Sequence, residues 1–250
     1  VSVATGVMAV RRRMAIAWAI GLLFGAGAAS LAAHAAHVLP PPRPLEELSY
    51  YPSGAHLEPA SFGHAESAAD LAWLRAVQYY GEHRATDSRF LRMAHVFDIL
   101  TTLSPRFIDS YVFGAFALAQ EGNDFPAAER LLQKGVEANP LNSELAFEMG
   151  FLYYVRPGGR DLPRAAEYFE RAARLPNPPP TAARFAAFAH QQSGDLAVAY
   201  AMWADVRERS PNRYMRQIAE DEMSKIREAL ATGHIGVAVH KLSTPIVLLK

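Results

Sequence analysis

The chain has 250 residues, half of them hydrophobic, and its 25 basic and 25 acidic side chains cancel. It has no cysteine, which excludes disulfides, cysteine-ligated zinc or iron–sulfur centres, c-type haem attachment and a lipidated N-terminal cysteine. Residues 1–40 hold three of the basic residues and no acid, so 22 basic and 25 acidic residues remain, and a mildly acidic body offers no footprint for nucleic acid.

The first element is apolar. Arg11, Arg12 and Arg13 precede a run from Met14 to Leu39 without Lys, Arg, Asp or Glu. About twenty apolar residues suffice for a helix to span a bilayer. Residues 14–39 therefore read as a transmembrane helix and residues 1–13 as a basic cytoplasmic N-terminus, since only Arg43 follows closely on the far side. The rival reading is a cleaved signal peptide with Ala33-His34-Ala35 as its site, although the run exceeds the usual apolar core of such peptides. Both readings place residues 43–250 outside the cytoplasm. The expectation is a single-pass protein of a bacterial inner membrane with a periplasmic C-terminal domain and the bilayer as a partner of its first helix. Gly21, Gly25 and Gly27 would let a second membrane helix approach closely. His34 and His37 read as solvated side chains near the outer interface.

Pro40-Pro41-Pro42 ends this helix. Residues 40–64 read as a Pro-rich linker with a short helix near Leu45–Leu48. From Ala65 the periodicity is helical and strand signals are few, so the fold class is all-α. A first pair begins at Ala65, with Trp73, Ala76 and Tyr80 in one helix and Phe97 and Leu100 facing inward from a second, Ser88 to Leu103. The second pair spans Phe107 to Pro140: Gly114 lies in one helix, Gly122-Asn123-Asp124 breaks the chain, and Ala128, Leu132 and Gly135 recur in the next. Prolines at 105, 140, 176 and 211 are separated by 35, 36 and 35 residues. A fixed period of this size built from helix pairs signals a solenoid.

These residues resemble the tetratricopeptide repeat (TPR), in which a small residue lets the two helices of a pair approach. Met149-Gly150, Tyr153, Asp161, Ala165, Phe169 and Ala172 carry the resemblance best, and Gly194-Asp195-Leu196, Ala199, Trp203, Val206 and Pro211 follow it in the fourth pair. The resemblance covers residues 65–211. It implies a TPR-like helix-pair solenoid of about four pairs, with residues 212–233 as a capping helix and 234–250 as an apolar tail, either folded back or offered to a partner. Three departures stand out: a long turn from Glu82 to Asp87, one extra residue in the second pair's turn, and Pro157-Gly158-Gly159 inserted in the third.

In TPR domains the first helix of each pair lines a concave groove. The resemblance places Gln78, Tyr111, Ala115, Phe147, Phe151, Tyr154, Arg184, Phe188 and Gln192 there. Such a groove is aromatic with few charges and suits an apolar extended peptide or an amphipathic helix. It lacks the basic cluster that captures a terminal carboxylate in some family members. Elsewhere the chain has no HExxH, Walker A loop, GxSxG or GxGxxG, and its nine histidines form no tight metal pattern. His64 with Glu66 reads as surface, and His190 as a packed core residue. No catalytic residue, cofactor or metal is expected. The function expected is a scaffold whose protein partners form a membrane complex of respiratory, photosynthetic, secretory or pilus type. The alternatives are a periplasmic chaperone for apolar segments and a cell-wall enzyme or activator.

Overall fold

The computed structural model describes residues 2–38 and 52–233. The chain divides into two compact units, residues 1–51 and 52–250. In the first, α1 runs from Ser2 to Val38, so the three arginines lie within the helix rather than before it. Within it, Ile16–His34 is long and apolar enough to cross a membrane. Trp18, Leu22, Leu23 and Phe24 are all exposed. A Cβ added at Gly21, Gly25 or Gly27 would meet nothing within 4 Å.

The second unit holds α2 (Gly54–Ala60), α3 (Ala65–Ala85), α4 (Met93–Leu103), α5 (Ile108–Phe116), α6 (Phe125–Ala138), α7 (Ser143–Tyr154), α8 (Leu162–Arg174), α9 (Ala182–Ser193), α10 (Leu196–Arg209) and α11 (Arg213–Thr232). Among the described residues there is no strand. Helices pack against their sequence neighbours from α3 through α11, and α2 packs on α4.

The boundaries have local causes. Asp124 and Asp161 accept hydrogen bonds from the Ala127 and Arg164 amides, starting α6 and α8, and each is followed by a proline in the first turn. Asn142 and Asn212 cap α7 and α11 in the same way. Gly194 and Gly233 adopt positive φ and end α9 and α11, a conformation that costs glycine little.

Small residues set how close the pairs come. A Cβ at Gly114 would stand 2.7 Å from both Leu131 and Phe97, one at Gly135 2.8 Å from Tyr111, and one at Gly150 2.8 Å from Phe169. Phe97, Tyr111, Phe169 and Trp203 are the bulkiest fully enclosed side chains. Each contributes roughly 1.5–3 kcal/mol by leaving water. The glycines are what give these rings a place.

Three expectations are corrected here. The compact unit starts at Pro52, not Ala65: α2 lies inside the expected linker, with Gly54 so close to Thr102 that a Cβ would be 2.6 Å from its Cβ. The short helix expected near Leu45–Leu48 and the tail 234–250 lie outside the described residues. The second helix of the first pair begins at Met93, not Ser88. The preceding turn is pinned instead: Ser88 has φ +54°, the Tyr79 hydroxyl donates to the Arg89 carbonyl and accepts from the Arg92 amide, and His83 Nδ1 lies 2.6 Å from Asp87. Finally, the extra residue of the second pair sits within the helix end. Ala117–Glu121 is a π-turn, closed by the Gly122 amide on the Ala117 carbonyl at 2.9 Å, which absorbs one residue without opening the loop.

Candidate protein-binding groove

The odd-numbered helices from α5 onward form a row of neighbours. α5 packs on α7. α7 meets α9 through Phe185, whose ring lies 5.6 Å from Phe147, 6.2 Å from Phe151 and 5.8 Å from Tyr154. α9 meets α11 through Gln191, which donates to Glu222 at 2.7 Å and accepts from the Trp203 indole at 2.7 Å. Gln191 is fully buried, so both of its amide groups are satisfied where an unpaired one would be costly.

The residues expected to line a groove divide in two. Tyr111, Ala115 and Tyr154 are buried and offer no surface, which corrects that expectation. Tyr111 fills the space opposite Gly135, and its hydroxyl donates to the Pro105 carbonyl at 3.2 Å. Tyr154 is enclosed by Phe169 and Phe185 and accepts from Gln192 at 3.2 Å. Phe147, Phe151, Arg184, Phe188 and Gln192 are half-buried, and Gln78 is exposed. Several of these are engaged internally: Phe188 packs edge-on to Trp203 at 4.7 Å, the Arg184 guanidinium lies over Phe185, and Arg160 donates to Gln192.

The open surface of the row lies elsewhere on it. Asp109, Val112, Phe113 and Phe116 of α5 face Glu148 of α7 across a depression of about 360 Å³. Phe116 is an exposed aromatic there. On its other side Glu148 borders a second depression of about 560 Å³, between Glu144 and Phe147 of α7 and the proline-rich turn Pro176–Pro180. No Lys, Arg or His lines either one. Burial, and then the neighbouring Glu144 carboxylate, push the Glu148 carboxyl up to about 7. A third depression, of about 620 Å³, lies on α8 and α10, with an alanine-rich floor. Its rim charges are already paired, Arg174 with Glu170 and Arg209 with Asp205, both at 2.7 Å.

The sequence reading missed Phe113, Phe116, Phe185 and Glu148. α5 carries aromatics on more than one face, so transferring a single stripe of positions selects Tyr111 and passes over Phe113 and Phe116. Glu148 had a usable signal: it is a carboxylate set between Phe147 and Met149 in an otherwise apolar helix segment.

His190, expected in the core, is largely enclosed, and only its Nε2 finds a hydrogen-bond partner while Nδ1 is buried without one. Its Nε2 lies 2.5 Å from Glu170 of α8 and its Nδ1 3.5 Å from Asp195, ahead of α10. Burial pushes the Glu170 carboxyl up, but hydrogen bonds from Arg174 and His190 outweigh it and hold the group below its ordinary value. His64 and Glu66 are exposed. Among the described residues no group of three or more His, Asp or Glu is placed to hold a metal. Compared with family models, with curated proteins and with solved structures, the chain finds no match in any of the three.

Proposed function

We propose that this chain is a membrane-anchored scaffold. In this reading α1 crosses the bilayer with its arginines on the cytoplasmic side, and α3–α11 form a TPR-like solenoid outside the cytoplasm. That solenoid binds protein partners and assembles or stabilises a multiprotein complex of the envelope. The observation that carries the reading is the row α5, α7, α9 and α11 with an aromatic-walled, acid-lined opening between its first two members. The spacing supports it too: Gly114 and Gly150, each pressed against the ring of a following or preceding helix, are 36 residues apart, and the capping aspartates Asp124 and Asp161 are 37 apart. Exposed aromatics beside an open depression are the usual anchors of peptide and protein recognition.

The test is extraction of the full chain in mild detergent, affinity purification and mass spectrometry of its companions. Stoichiometric companions are expected. Phe116→Asp should reduce their recovery at least tenfold while leaving the circular dichroism melt in place, because Phe116 is 45% exposed. Migration of the native protein alone, with no stable companion, would overturn the scaffold reading.

A further inference from the structure

Glu148 is half-buried beside the rings of α5, and no hydrogen bond or ion pair reaches it among the described residues. A carboxylate drawn out of water in this way is stabilised by a cation that hydrogen-bonds to it. Neither depression beside it is lined by one. The same chain shows twice what such a place looks like when it is filled. The Arg84 guanidinium lies 5.8 Å from the centre of the Tyr80 ring and 3.8 Å from Glu121. The Arg164 guanidinium lies 5.4 Å from the centre of the Tyr153 ring and 3.6 Å from Glu129. In each, a ring and a carboxylate share one arginine, a combination suited to its flat, delocalised charge. The α5–α7 opening has the rings and the carboxylate, Phe113, Phe116 and Glu148, without the arginine.

We propose that this opening takes an arginine of a partner protein, carried between apolar residues: its guanidinium pairs with Glu148, and the flanking side chains lie against Phe113 and Phe116. Polarity and charge both favour this occupant. Val112, Phe113 and Phe116 give apolar surface, and the charges that line the opening, Asp109 and Glu148, are both negative. An acidic or phosphorylated segment is therefore repelled, and a wholly apolar one leaves Glu148 unpaired and further from water. A divalent metal ion lacks a third ligand, since among the described residues no three His, Asp or Glu side chains stand together for one.

The inference rests on the partner-binding reading and narrows it to the chemistry of one contact. Binding is measured at the opening itself, whether or not a companion co-purifies, so the two ideas fail separately.

The full chain, in uncharged detergent at pH 8, is titrated against a peptide with one arginine among leucines, valines and serines. The peptide carries an uncharged dye and is acetylated and amidated, so the guanidinium is its only charge. Two companion peptides have citrulline or glutamate in that place. Fluorescence anisotropy is expected to show the citrulline peptide binding at least tenfold more weakly than the arginine peptide, and the glutamate peptide not at all. Glu148→Gln should weaken the arginine peptide at least fivefold, leave the citrulline peptide unchanged and keep the circular dichroism melt. Glu148→Lys should prefer the glutamate peptide, a reversal that loss of fold does not produce. Asp205→Asn, on the α8–α10 depression, should change nothing. No saturable binding of the arginine peptide, equal affinity for the citrulline peptide, indifference to Glu148→Gln, or as large a loss from Asp205→Asn would overturn the proposal. Companions whose recovery Glu148→Gln leaves unchanged would overturn it while keeping the scaffold reading, and charge-selective peptide binding without any companion would do the reverse.

Discussion

α1 and α4 are both apolar helices, and they use that character in opposite ways. α4 is 11 residues long, and Met93, Val96, Phe97, Ile99, Leu100, Thr101 and Leu103 are buried in it. Its hydrophobic face is met by α2, α3 and α5. In α1 the apolar residues occur all round the helix, and Ile16, Trp18, Ile20, Leu22, Leu23 and Phe24 are exposed. The glycines repeat the contrast. Those of α1 have nothing within 4 Å, whereas Gly114, Gly135 and Gly150 have side chains pressed against them. Composition is thus a poor guide to what an apolar helix does. A helix that is apolar all round and longer than the protein can cover needs a solvent other than water, while a short one with a face needs only its neighbours.

The contrast is broken most readily at a single phenylalanine in each helix. Phe97 is fully buried and touches the rings of Trp73 and Phe113 at 6.5 and 5.9 Å. Phe97→Ala should destabilise the second unit by about 3–5 kcal/mol, the cost of a large core truncation. Phe24→Ala, at a side chain 78% exposed, should leave that unfolding transition unmoved. Denaturant melts of the full chain in detergent, followed by circular dichroism, measure both. Equal effects at the two positions would mean that the two helices do not differ in the way described.

The glycines give the next largest effect. Gly114→Ala places a methyl group 2.7 Å from the Phe97 ring, which is itself held on other sides. Overpacking of this kind costs about 1–3 kcal/mol, more than the roughly 1 kcal/mol by which alanine improves a helix over glycine. A net loss of about 1–2 kcal/mol is expected in the same melt. Gly25→Ala should not lower that stability at all. If a second membrane helix packs against Gly21, Gly25 and Gly27, the change should appear only in self-association, measured by energy transfer between labelled copies in bilayers.

How much of this was legible depends on whether a residue's partner is near in sequence. The capping residue of α6 and the glycine after α11 could be read directly, because a cap acts on amides two or three positions away. The close approach at Gly114 and Gly150 was also legible, because a small residue at a recurring position has few other uses. Tyr111 was not. Its burial depends on Gly135 on the following helix, and α5 is aromatic on several faces, so local pattern left its direction open. The linker helix α2 was hidden for a related reason. Seven residues ending near Pro59 show no period, and what fixes them is Gly54 seated on Thr102. Phe185, at the centre of the α7–α9 ring cluster, belongs to the same class of non-local facts.

The smallest effect concerns the opening rather than the core, and it contrasts a carboxylate left alone with the many matched ones. Glu148 is held near 7 by burial and by Glu144, with Asp109 on the facing helix adding no cation. Its folded value is above the ordinary one, so the group favours the folded state fully when both states are protonated. That advantage is lost as pH rises from about 4.5 through about 7. A shift of this size corresponds to at most about 3 kcal/mol, and partial solvent access reduces it to about 1 kcal/mol. Glu148→Gln removes the dependence. The same substitution should raise stability by about 1 kcal/mol at pH 8 and leave it unchanged at pH 4, read from denaturant melts. A gain confined to low pH would reverse the sign argued here.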